Sequence, residues 1–261
     1  MGTLSSSGIH DAWERRYRTP ANERFYEQVF DELMALIAPL GPDARFLDAG
    51  CGIGAHAARL ARRGFSVDAI DASAQILERA AANLAAQGLS SRVTLRQGSL
   101  LDLPYPAGGF DGVLCWGVLM HVPDVSTAVS ELARVTRAGG RLIVNEINSG
   151  APEPRLMRAL FPRVASSGVR IERTEAGFEH WAMTAEGPMM WRHADLGWLV
   201  AEARRNGLVP LRRIAGQLSE SYAEMPAGSL AAAVHSVNSF WFRRIRRPRP
   251  AAANILVFEK A

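Results

Sequence analysis

Short apolar runs alternate with amphipathic helical stretches along most of the chain. After a helical pattern over residues 11–38, the prolines and glycine of 39–42 interrupt the chain. The predicted strands are 45–47, 65–70, 92–96, 110–115, 141–147, one that starts at Leu208, and 254–259; the predicted helices are 55–63, 73–87, 125–137, 195–206 and 229–247. Strands and helices in alternation indicate an α/β fold in which helices cover both faces of a parallel sheet.

One segment breaks this alternation. Between residues 149 and 192 the chain is rich in proline, glycine, methionine and aromatic residues, without a clear helix or strand pattern. Its large side chains are Met157, Phe161, Phe178, Trp181, Met183, Met189, Met190 and Trp191. We therefore expect three parts: an N-terminal helical lid over 1–43, a sheet domain built from 44–148 and 193–261, and an inserted cap over 149–192.

The composition is that of an ordinary globular protein. The chain has 261 residues, 48% of them apolar and 21% charged, which suits one large domain or two small ones and excludes intrinsic disorder as the main state. The longest apolar runs, 33–40 and 112–120, are less than half of the roughly 18 residues that a membrane span needs. Residues 1–8 lack the apolar core of a secretory signal. We expect a cytoplasmic protein without a membrane segment.

The cysteines and the charge pattern decide whether disulfides, a metal or a nucleic-acid partner are expected. Cys51 and Cys115 are too few for a disulfide framework and lack metal-ligand spacing, so we expect buried free thiols, a reducing compartment and no metal. The net charge is +4, and nearly all of the positive charge is arginine. The dense arginine run at 243–249 could contact phosphates, but such runs are more often solvated helix ends. We expect no nucleic-acid partner.

The first candidate site is the turn between the first strand and the next helix. It reads Leu47-Asp48-Ala49-Gly50-Cys51-Gly52-Ile53-Gly54. Its three glycines allow a tight bend and a close approach to a nucleoside ligand at the helix N-terminus. Gly50, Gly52 and Ala55 also match the dinucleotide fingerprint. A nicotinamide-dependent dehydrogenase is therefore one alternative, and a plain strand-to-helix turn is another.

A second candidate site is an acid at the end of the second strand. Asp71 stands where a carboxylate can accept hydrogen bonds from both ribose hydroxyls of an adenosine. The alternative for this residue is a helix cap, because aspartate is a preferred capping residue.

Further motifs follow in the order found in a known family. They are Asp102-Leu103-Pro104-Tyr105, Phe110-Asp111 at the start of the fourth strand, His121-Val122-Pro123-Asp124 after it, and Gly139-Gly140 before the fifth. With the glycine turn and Asp71, they make residues 44–146 resemble the class I S-adenosylmethionine-dependent methyltransferases of the small-molecule, ubiquinone-methyltransferase-like type. Asp48 argues against a dehydrogenase, which usually has a small or apolar residue there.

The resemblance implies a fold, a cofactor and a set of contacts. The fold is a Rossmann-like, mostly parallel sheet of seven strands with the last strand antiparallel, and the cofactor is S-adenosylmethionine. In this family the glycine turn follows the methionine part of the cofactor, and the acid at position 71 holds the ribose. The implied contacts are Asp48, Gly50, Cys51, Gly52, Gly54, Asp71, Ala72, Ser99, Leu100, Cys115, Trp116 and Tyr17. Ser99 departs from the family pattern, which commonly has an acid there for the adenine amino group.

Methyl transfer depends on a dry pocket that aligns the acceptor with the methyl group. His121, just beyond the fourth strand, is a candidate general base, with a structural histidine bonded to the backbone as its alternative. Glu146, at the end of the fifth strand, is a candidate base or a binder of a cationic substrate. The candidate substrate contacts are Tyr26 in the first helix and, in or beside the cap, His180, Trp181, Trp191, Arg192 and His193.

These observations predict an enzyme that methylates a small, largely apolar molecule, most simply at an oxygen of a secondary metabolite. Methylation at nitrogen or carbon is the alternative within the fold, and a cofactor-binding subunit without turnover is the alternative outside enzymes. The dinucleotide-dependent dehydrogenase is less favoured. The expected partner is a small molecule rather than nucleic acid or membrane, and a homodimer is left open.

Overall fold

The computed structural model describes residues 11, 14–153, 168–184, 187–220 and 228–261. The helices are α1 (Pro20–Ile37), α2 (Ala55–Arg62), α3 (Ala74–Ala86), α4 (Val125–Val135), α5 (Leu196–Arg205) and α6 (Ser229–Phe240). The strands are β1 (Arg45–Ala49), β2 (Ser66–Asp71), β3 (Val93–Gln97), β4 (Phe110–Trp116), β5 (Thr136–Ile147), β6 (Val169–Thr174), β7 (Gly177–Thr184), β8 (Gly187–Ala194), β9 (Leu208–Ala215) and β10 (Ala253–Lys260).

One sheet of seven strands organises the molecule, in the order β3-β2-β1-β4-β5-β10-β9. Strands β1 to β5 pair in parallel, and β10 runs antiparallel to both of its neighbours. The predicted mostly parallel sheet with an antiparallel last strand is therefore confirmed. A dinucleotide-binding sheet has the order 3-2-1-4-5-6. The antiparallel strand between β5 and β9 separates this fold from that class.

The hydrophobic core lies on both faces of the sheet, because side chains alternate along a buried strand. Phe46 and Leu47 of β1 are consecutive and both fully buried. Phe46 packs in the cluster that includes Phe30 of α1, and Leu47 packs in the cluster that includes Leu132 of α4. Helices therefore cover both faces, as predicted.

Four helices begin at a polar residue whose side-chain oxygen accepts a hydrogen bond from a backbone N–H in the first turn. These residues are Thr19 for α1, Ser73 for α3, Asp124 for α4 and Asp195 for α5. Such caps satisfy helix N–H groups that have no partner inside the helix. Among the helices that the structure describes, none combines the length and the apolar character needed to cross a bilayer.

The predicted cap contains a second sheet. Strands β6, β7 and β8 form an antiparallel sheet of three strands, separate from the main sheet. It ends at Ala194, two residues beyond the predicted boundary at 192. Met157 and Phe161 lie outside the described residues, as does the stretch 1–8. The division into lid, sheet domain and cap stays a prediction.

Several predicted element boundaries were wrong. The helix predicted over 11–38 is interrupted, because α1 begins anew with Pro20 after the capping Thr19. The helix predicted to reach 137 ends at Val135, since Thr136 is extended and pairs with Phe110. The helix predicted to reach 247 is regular only to Phe240 and continues as one wider π turn.

Candidate active site

The glycine turn bends sharply between β1 and α2. The N–H groups of Gly50 and Cys51 both donate to the carbonyl of Ile70, at 2.8 and 2.9 Å. Gly50 has a φ of +78°, and a Cβ there would lie 2.5 Å from the side chain of Val118. A Cβ on Gly52 would meet nothing within 4 Å. Gly50 is thus required by packing, whereas the space beside Gly52 can admit a ligand.

Asp71 is fixed directly beside this turn. Its Oδ2 accepts a hydrogen bond from the N–H of Gly52 at 2.9 Å, and its Oδ1 accepts one from the N–H of Ser73 at 3.0 Å. The helix-cap alternative for Asp71 is wrong, because the Ser73 hydroxyl accepts from Ile76 N and caps α3. Each carboxylate oxygen has a further lone pair. The geometry therefore leaves Asp71 able to accept hydrogen bonds from ribose hydroxyls.

The residues predicted to flank an adenine ring come together at the ends of β2 and β3. The N–H of Gly98 donates to the carbonyl of Asp71 at 3.0 Å. This bond places Ser99 and Leu100 beside the loop that carries Ala72. Leu100 is buried, and Ser99 is partly exposed. The hydroxyl of Ser99 already accepts a hydrogen bond from Leu101 N at 3.1 Å. It retains one lone pair for a ligand amino group.

Asp48 is a buried carboxyl next to the glycine turn. Its Oδ2 has no hydrogen-bond partner among the described residues. Burial raises the pKa of Asp48 to about 7, and the neighbouring charge of Asp71 acts in the same direction. A cationic ligand group nearby would favour the ionised form. The residue therefore fits a site that receives positive charge, such as an ammonium or a sulfonium.

A large cavity lies at the carboxyl ends of β4 and β5, between α1 and strand β8. Its volume is about 840 Å³. The predicted site residues that line it are Tyr17, Tyr26, Trp116, His121, Glu146, Trp191 and His193. Cys51 and Cys115 are buried free thiols, as predicted, and neither lines the cavity. The topology thus joins residues from the lid, the sheet and the cap in one place.

His121 ends a short 3₁₀ turn beyond β4. Its Nδ1 lies 2.9 Å from the carbonyl oxygen of Met190 in β8. Because a carbonyl can only accept, this contact requires the proton on Nδ1 and places the lone pair of a neutral ring on Nε2. The bond therefore selects the tautomer of a general base.

Glu146 lies at the end of β5, 2% exposed. Its two carboxyl oxygens have no hydrogen-bond partner of normal geometry among the described residues. Burial raises the pKa of Glu146 to about 8, although the backbone N–H of Leu119 and the charge of Arg192 act in the opposite direction. A carboxyl in this state is mostly protonated near neutral pH and can exchange its proton there.

Aromatic rings form the wall on the α1 side. His56 stacks on Phe30, with ring centroids 5.5 Å apart, and lies 4.8 Å from the ring of Trp116. Tyr26 meets Trp116 edge-on at 5.8 Å. Burial lowers the pKa of His56 well below its usual value and raises the pKa of Tyr26. Both rings are therefore neutral, and they add apolar surface to a wall that also contains the charged Glu23 and Arg59.

Ion pairs hold α1 against α2 on this side of the cavity. The buried Arg59 pairs with Glu23 and, at 3.1 Å, with Glu27. Arg63 also pairs with Glu27, at 2.9 Å. The N-terminal helix is thus fixed over the cavity by charges of opposite sign on α1 and α2.

Strand alternation divides the predicted cap residues between two faces. Trp191 and His193 of β8 line the cavity, and His180 lies opposite Trp191 on the neighbouring strand, its ring stacked at 5.2 Å. Trp181 and Arg192 belong to the alternate positions and do not line the cavity. Of the predicted cap contacts, Trp191 and His193 line the cavity, and His180 packs beside them on the same face of the three-stranded sheet.

Arg192 connects the cap to the turn that carries His121. Its guanidinium pairs with Glu179 at 2.8 Å and donates to the carbonyls of Leu119 and Val122 at 3.1 and 3.0 Å. These contacts favour a structural role over the predicted contact with substrate, which stays untested.

Other residues line the cavity without having been predicted from the sequence. They include His56, Met120, Glu153, Met189, Gln217 and Glu220. Burial raises the pKa of Glu220 to about 7, helped by the charge of Glu153. Met189 could have been found, because it precedes Trp191 by two positions on a strand. No local pattern marks Glu220.

Comparisons with known proteins agree with the predicted resemblance to methyltransferases. Residues 47–144 match the family model of a methyltransferase domain. Methyltransferase GfsG of Streptomyces halstedii is 35% identical over 128 residues, which are 49% of this chain and 44% of that protein. The 27-O-demethylrifamycin SV methyltransferase of Amycolatopsis mediterranei is 32% identical over 160 residues, 61% of this chain and 57% of that protein. The chain thus spans about half the length of these curated relatives.

Solved structures share the fold. Magnesium protoporphyrin IX methyltransferase from Synechocystis, solved with bound S-adenosylhomocysteine, aligns with a TM-score of 0.63 at 18% identity over 99% of this chain and 96% of its own. The [4+2]-cyclase SpnF aligns with a TM-score of 0.57 at 23% identity over 89% of this chain and 81% of its own. At these identities the likeness establishes the fold and leaves the reaction to be argued from the site.

Proposed function

We propose that the protein transfers a methyl group from S-adenosylmethionine to a hydroxyl of a small, largely apolar molecule, and the match of residues 47–144 to the model of a methyltransferase domain supports this. Relatives named for O-methylation of small molecules support the choice of oxygen, among them the rifamycin enzyme and a ubiquinone biosynthesis O-methyltransferase of Xylella fastidiosa. The observation that carries the proposal is the cavity, which has His121 and Glu146 in its wall next to the end of β4.

The residues at the glycine turn fit the donor. The open space beside Gly52 can admit the part of S-adenosylmethionine that lies along the turn. Asp71 would accept hydrogen bonds from the ribose hydroxyls, and Asp48 would face the positive charge of the donor. When bound, S-adenosylmethionine supplies an electrophilic methyl group on a sulfonium. Tyr17 lines the cavity from the lid side, which supports the proposal that it closes over the donor.

The cavity wall would supply most of the acceleration by positioning. Tyr26 and Trp116 on one side and Trp191 on the other present flat surfaces that orient an apolar acceptor and exclude water. Holding reactants aligned in this way can be worth effective molarities of about 10⁵ to 10⁸ M. His193 and Glu220 add polar groups to a surface that is otherwise largely apolar.

His121 is the proposed general base. With Nδ1–H donating to the Met190 carbonyl, Nε2 can accept the proton of an acceptor hydroxyl as oxygen attacks the methyl group. Such a base contributes roughly 10² to 10⁴ in rate. Glu146 is proposed as a second proton acceptor or as a binder of a cationic group. Both roles require the ionised carboxylate, whose share grows as the pH rises toward the pKa of about 8.

The alternatives differ in what they require of these residues. Methylation at nitrogen or carbon would use the same cavity with another nucleophile. A cofactor-binding subunit without turnover would bind the donor and methylate nothing. We place the reaction in the cytoplasm, with a small molecule as partner and the oligomeric state open between monomer and homodimer.

The test is turnover with S-adenosylmethionine that carries an isotopically labelled methyl group. Mass spectrometry of small-molecule extracts should show one labelled product, and His121→Ala should lower the rate by roughly 10² or more while the affinity for S-adenosylhomocysteine stays nearly unchanged. His121→Asn is the matched variant, because its amide can still donate to the Met190 carbonyl but cannot act as a base. If His121→Asn keeps the wild-type rate, His121 is structural.

A further inference from the structure

Strand β8 carries cavity-facing and domain-facing side chains on alternate residues. Met189, Trp191 and His193 line the cavity. Met190 and Arg192 occupy the positions between them, and both are buried. Because side chains alternate along a strand, Trp191 faces the cavity while Arg192 faces the opposite way and meets the turn that carries His121. One strand therefore contacts both the space for an acceptor and the support of the proposed base.

Arg192 uses every N–H of its guanidinium. Its Nη1 donates to the carbonyls of Leu119 and Val122, at 3.1 and 3.0 Å. Its Nη2 donates to the carbonyl of Pro123 at 3.2 Å and to Oε1 of Glu179 at 2.8 Å, and its Nε donates to the same Oε1 at 3.2 Å. A guanidinium has five N–H donors in one fixed plane. Because each of the five has an acceptor here, the turn is fixed relative to β8.

The three carbonyls that Arg192 binds lie on both sides of His121. Leu119 begins the 3₁₀ turn that His121 ends, and the other two acceptors follow it directly. Carbonyl groups at the end of a short helical turn have few partners within it, so the guanidinium supplies them. The carbonyl of Met190, two residues before Arg192, lies 2.9 Å from Nδ1 of His121. Two neighbouring residues of β8 thus hold the backbone and the ring of His121.

The burial of Arg192 indicates a geometric role. Its side chain is 2% exposed, and Glu179 balances its charge. A buried ion pair is a costly way to hold two elements together, because both charges are removed from water, and a pair of apolar side chains would pack there without that cost. The guanidinium adds a defined position of the turn, which apolar packing does not supply.

The same turn also faces the second candidate proton acceptor. Leu119, Met120, Glu146 and Arg192 line one small cavity of about 10 Å³. Burial raises the pKa of Glu146 to about 8, and the charge of Arg192 acts in the opposite direction. Arg192 therefore acts on Glu146 through its charge and on His121 through the hydrogen bonds that hold the turn. A substitution that keeps the charge and removes hydrogen bonds separates these two effects.

From these contacts we propose that Arg192 is a positioning residue of methyl transfer, which fixes the His121 ring relative to the face of β8 against which the acceptor lies. This inference rests on the proposed function for the role of His121 as general base. Arg192 does not line the cavity, so it acts through the turn. A base must lie within hydrogen-bond reach of the proton it removes, and a displacement of about 1 Å can lower the rate by roughly 10². Arg192 should therefore affect the rate at saturation rather than the binding of the acceptor.

The variant Arg192→Lys tests this role, because lysine keeps the charge but has only three N–H donors on one nitrogen. Initial rates over a dilution series of small-molecule extract, with labelled S-adenosylmethionine in excess, give a saturating rate and a half-saturating dilution. The saturating rate should fall at least about tenfold. The half-saturating dilution and the affinity for S-adenosylhomocysteine should stay within about twofold of wild type, because the cavity wall and the glycine turn are unchanged.

Two further variants accompany this measurement. Glu179→Gln leaves Arg192 an uncharged acceptor oxygen, so it should lower the saturating rate by less than Arg192→Lys does. The matched control is Arg170→Lys, at an exposed arginine of β6 in the same small sheet, and it should stay within about twofold of wild type. A saturating rate for Arg192→Lys within about twofold of wild type overturns the proposal. A parallel loss of rate and of affinity for S-adenosylhomocysteine also overturns it, since that pattern indicates general damage to the fold.

Nitrogen NMR of the histidine rings gives a readout that needs no turnover. At a pH where the ring is neutral, His121 of the wild type should carry its proton on Nδ1, as the contact with the Met190 carbonyl requires. Arg192→Lys should shift part of the population to the Nε2–H form, and His121→Asn identifies the signal by its loss. An unchanged tautomer in Arg192→Lys overturns the proposal. If the wild type methylates nothing in any extract, the proposed function is contradicted, and the tautomer still decides whether Arg192 positions the ring.

Discussion

Replacing Glu146 with glutamine should stabilise the protein near neutral pH. The carboxyl is 2% exposed, and burial raises its pKa from an ordinary value of 4.5 to about 8. In the unfolded chain the same group ionises at its ordinary pKa. Around pH 7 the folded protein must therefore hold a proton on Glu146 that the unfolded protein has released, and this opposes folding.

The sign and size of the effect follow from this difference in proton binding. The contribution of Glu146 to stability is fully present below pH 4.5 and is lost as the pH rises through about 8. Each pH unit within that window costs about 1.36 kcal/mol, so the loss between pH 4.5 and pH 7 is about 3 kcal/mol. Glutamine does not titrate and has nearly the same shape. At pH 7 the free energy of unfolding of Glu146→Gln should therefore be about 3 kcal/mol higher than that of the wild type.

Urea unfolding at pH 5, 7 and 8.5 measures the difference. The stability gap between Glu146→Gln and wild type should be small at pH 5 and widen toward pH 8.5. Glu131→Gln is the control of opposite sign, because hydrogen bonds from Arg134 lower the pKa of Glu131. That variant should lose stability at pH 7 and approach wild type as the pH falls. A gap for Glu146→Gln that does not change with pH would refute the reasoning.

Three further substitutions test the site and its frame. Asp71→Ala should weaken S-adenosylhomocysteine by about 1.5 to 3 kcal/mol in calorimetry, because charged hydrogen bonds to the ribose are lost; unchanged affinity would remove Asp71 from the site. Gly50→Ala should lower the free energy of urea unfolding by about 1 to 3 kcal/mol, since its Cβ would lie 2.5 Å from Val118, and a neutral result would contradict the packing. Arg192→Met should cost about 3 to 5 kcal/mol by the same measurement, whereas the exposed Arg170→Met should stay within about 0.5 kcal/mol. Similar losses in both arginine variants would contradict the structural role of Arg192.

The sheet and the donor site could be predicted because their signals are local in the sequence. The glycine turn, the acid at the end of β2 and the alternation of strands and helices each occupy a few consecutive residues. The resemblance to class I methyltransferases rests on these motifs and is confirmed by the family match over 47–144. The contacts of Asp71 with Gly52 and Ser73 follow from a strand end that lies beside the turn.

The acceptor side was harder to predict because it depends on tertiary packing. The cap was expected without secondary structure, yet it forms a three-stranded sheet whose alternation turns Trp191 toward the cavity and Trp181 away from it. Glu220 reaches the cavity only because β9 ends, and β10 begins, at the same edge of the sheet where β5 ends.

The central claim is that the glycine turn and Asp71 bind S-adenosylmethionine rather than a dinucleotide. The most direct measurement is calorimetric titration of the protein with S-adenosylhomocysteine and, separately, with oxidised and reduced nicotinamide adenine dinucleotide. We predict one S-adenosylhomocysteine bound per chain at micromolar affinity, with no heat of binding from either dinucleotide. Saturable binding of a dinucleotide together with no binding of S-adenosylhomocysteine would contradict the account.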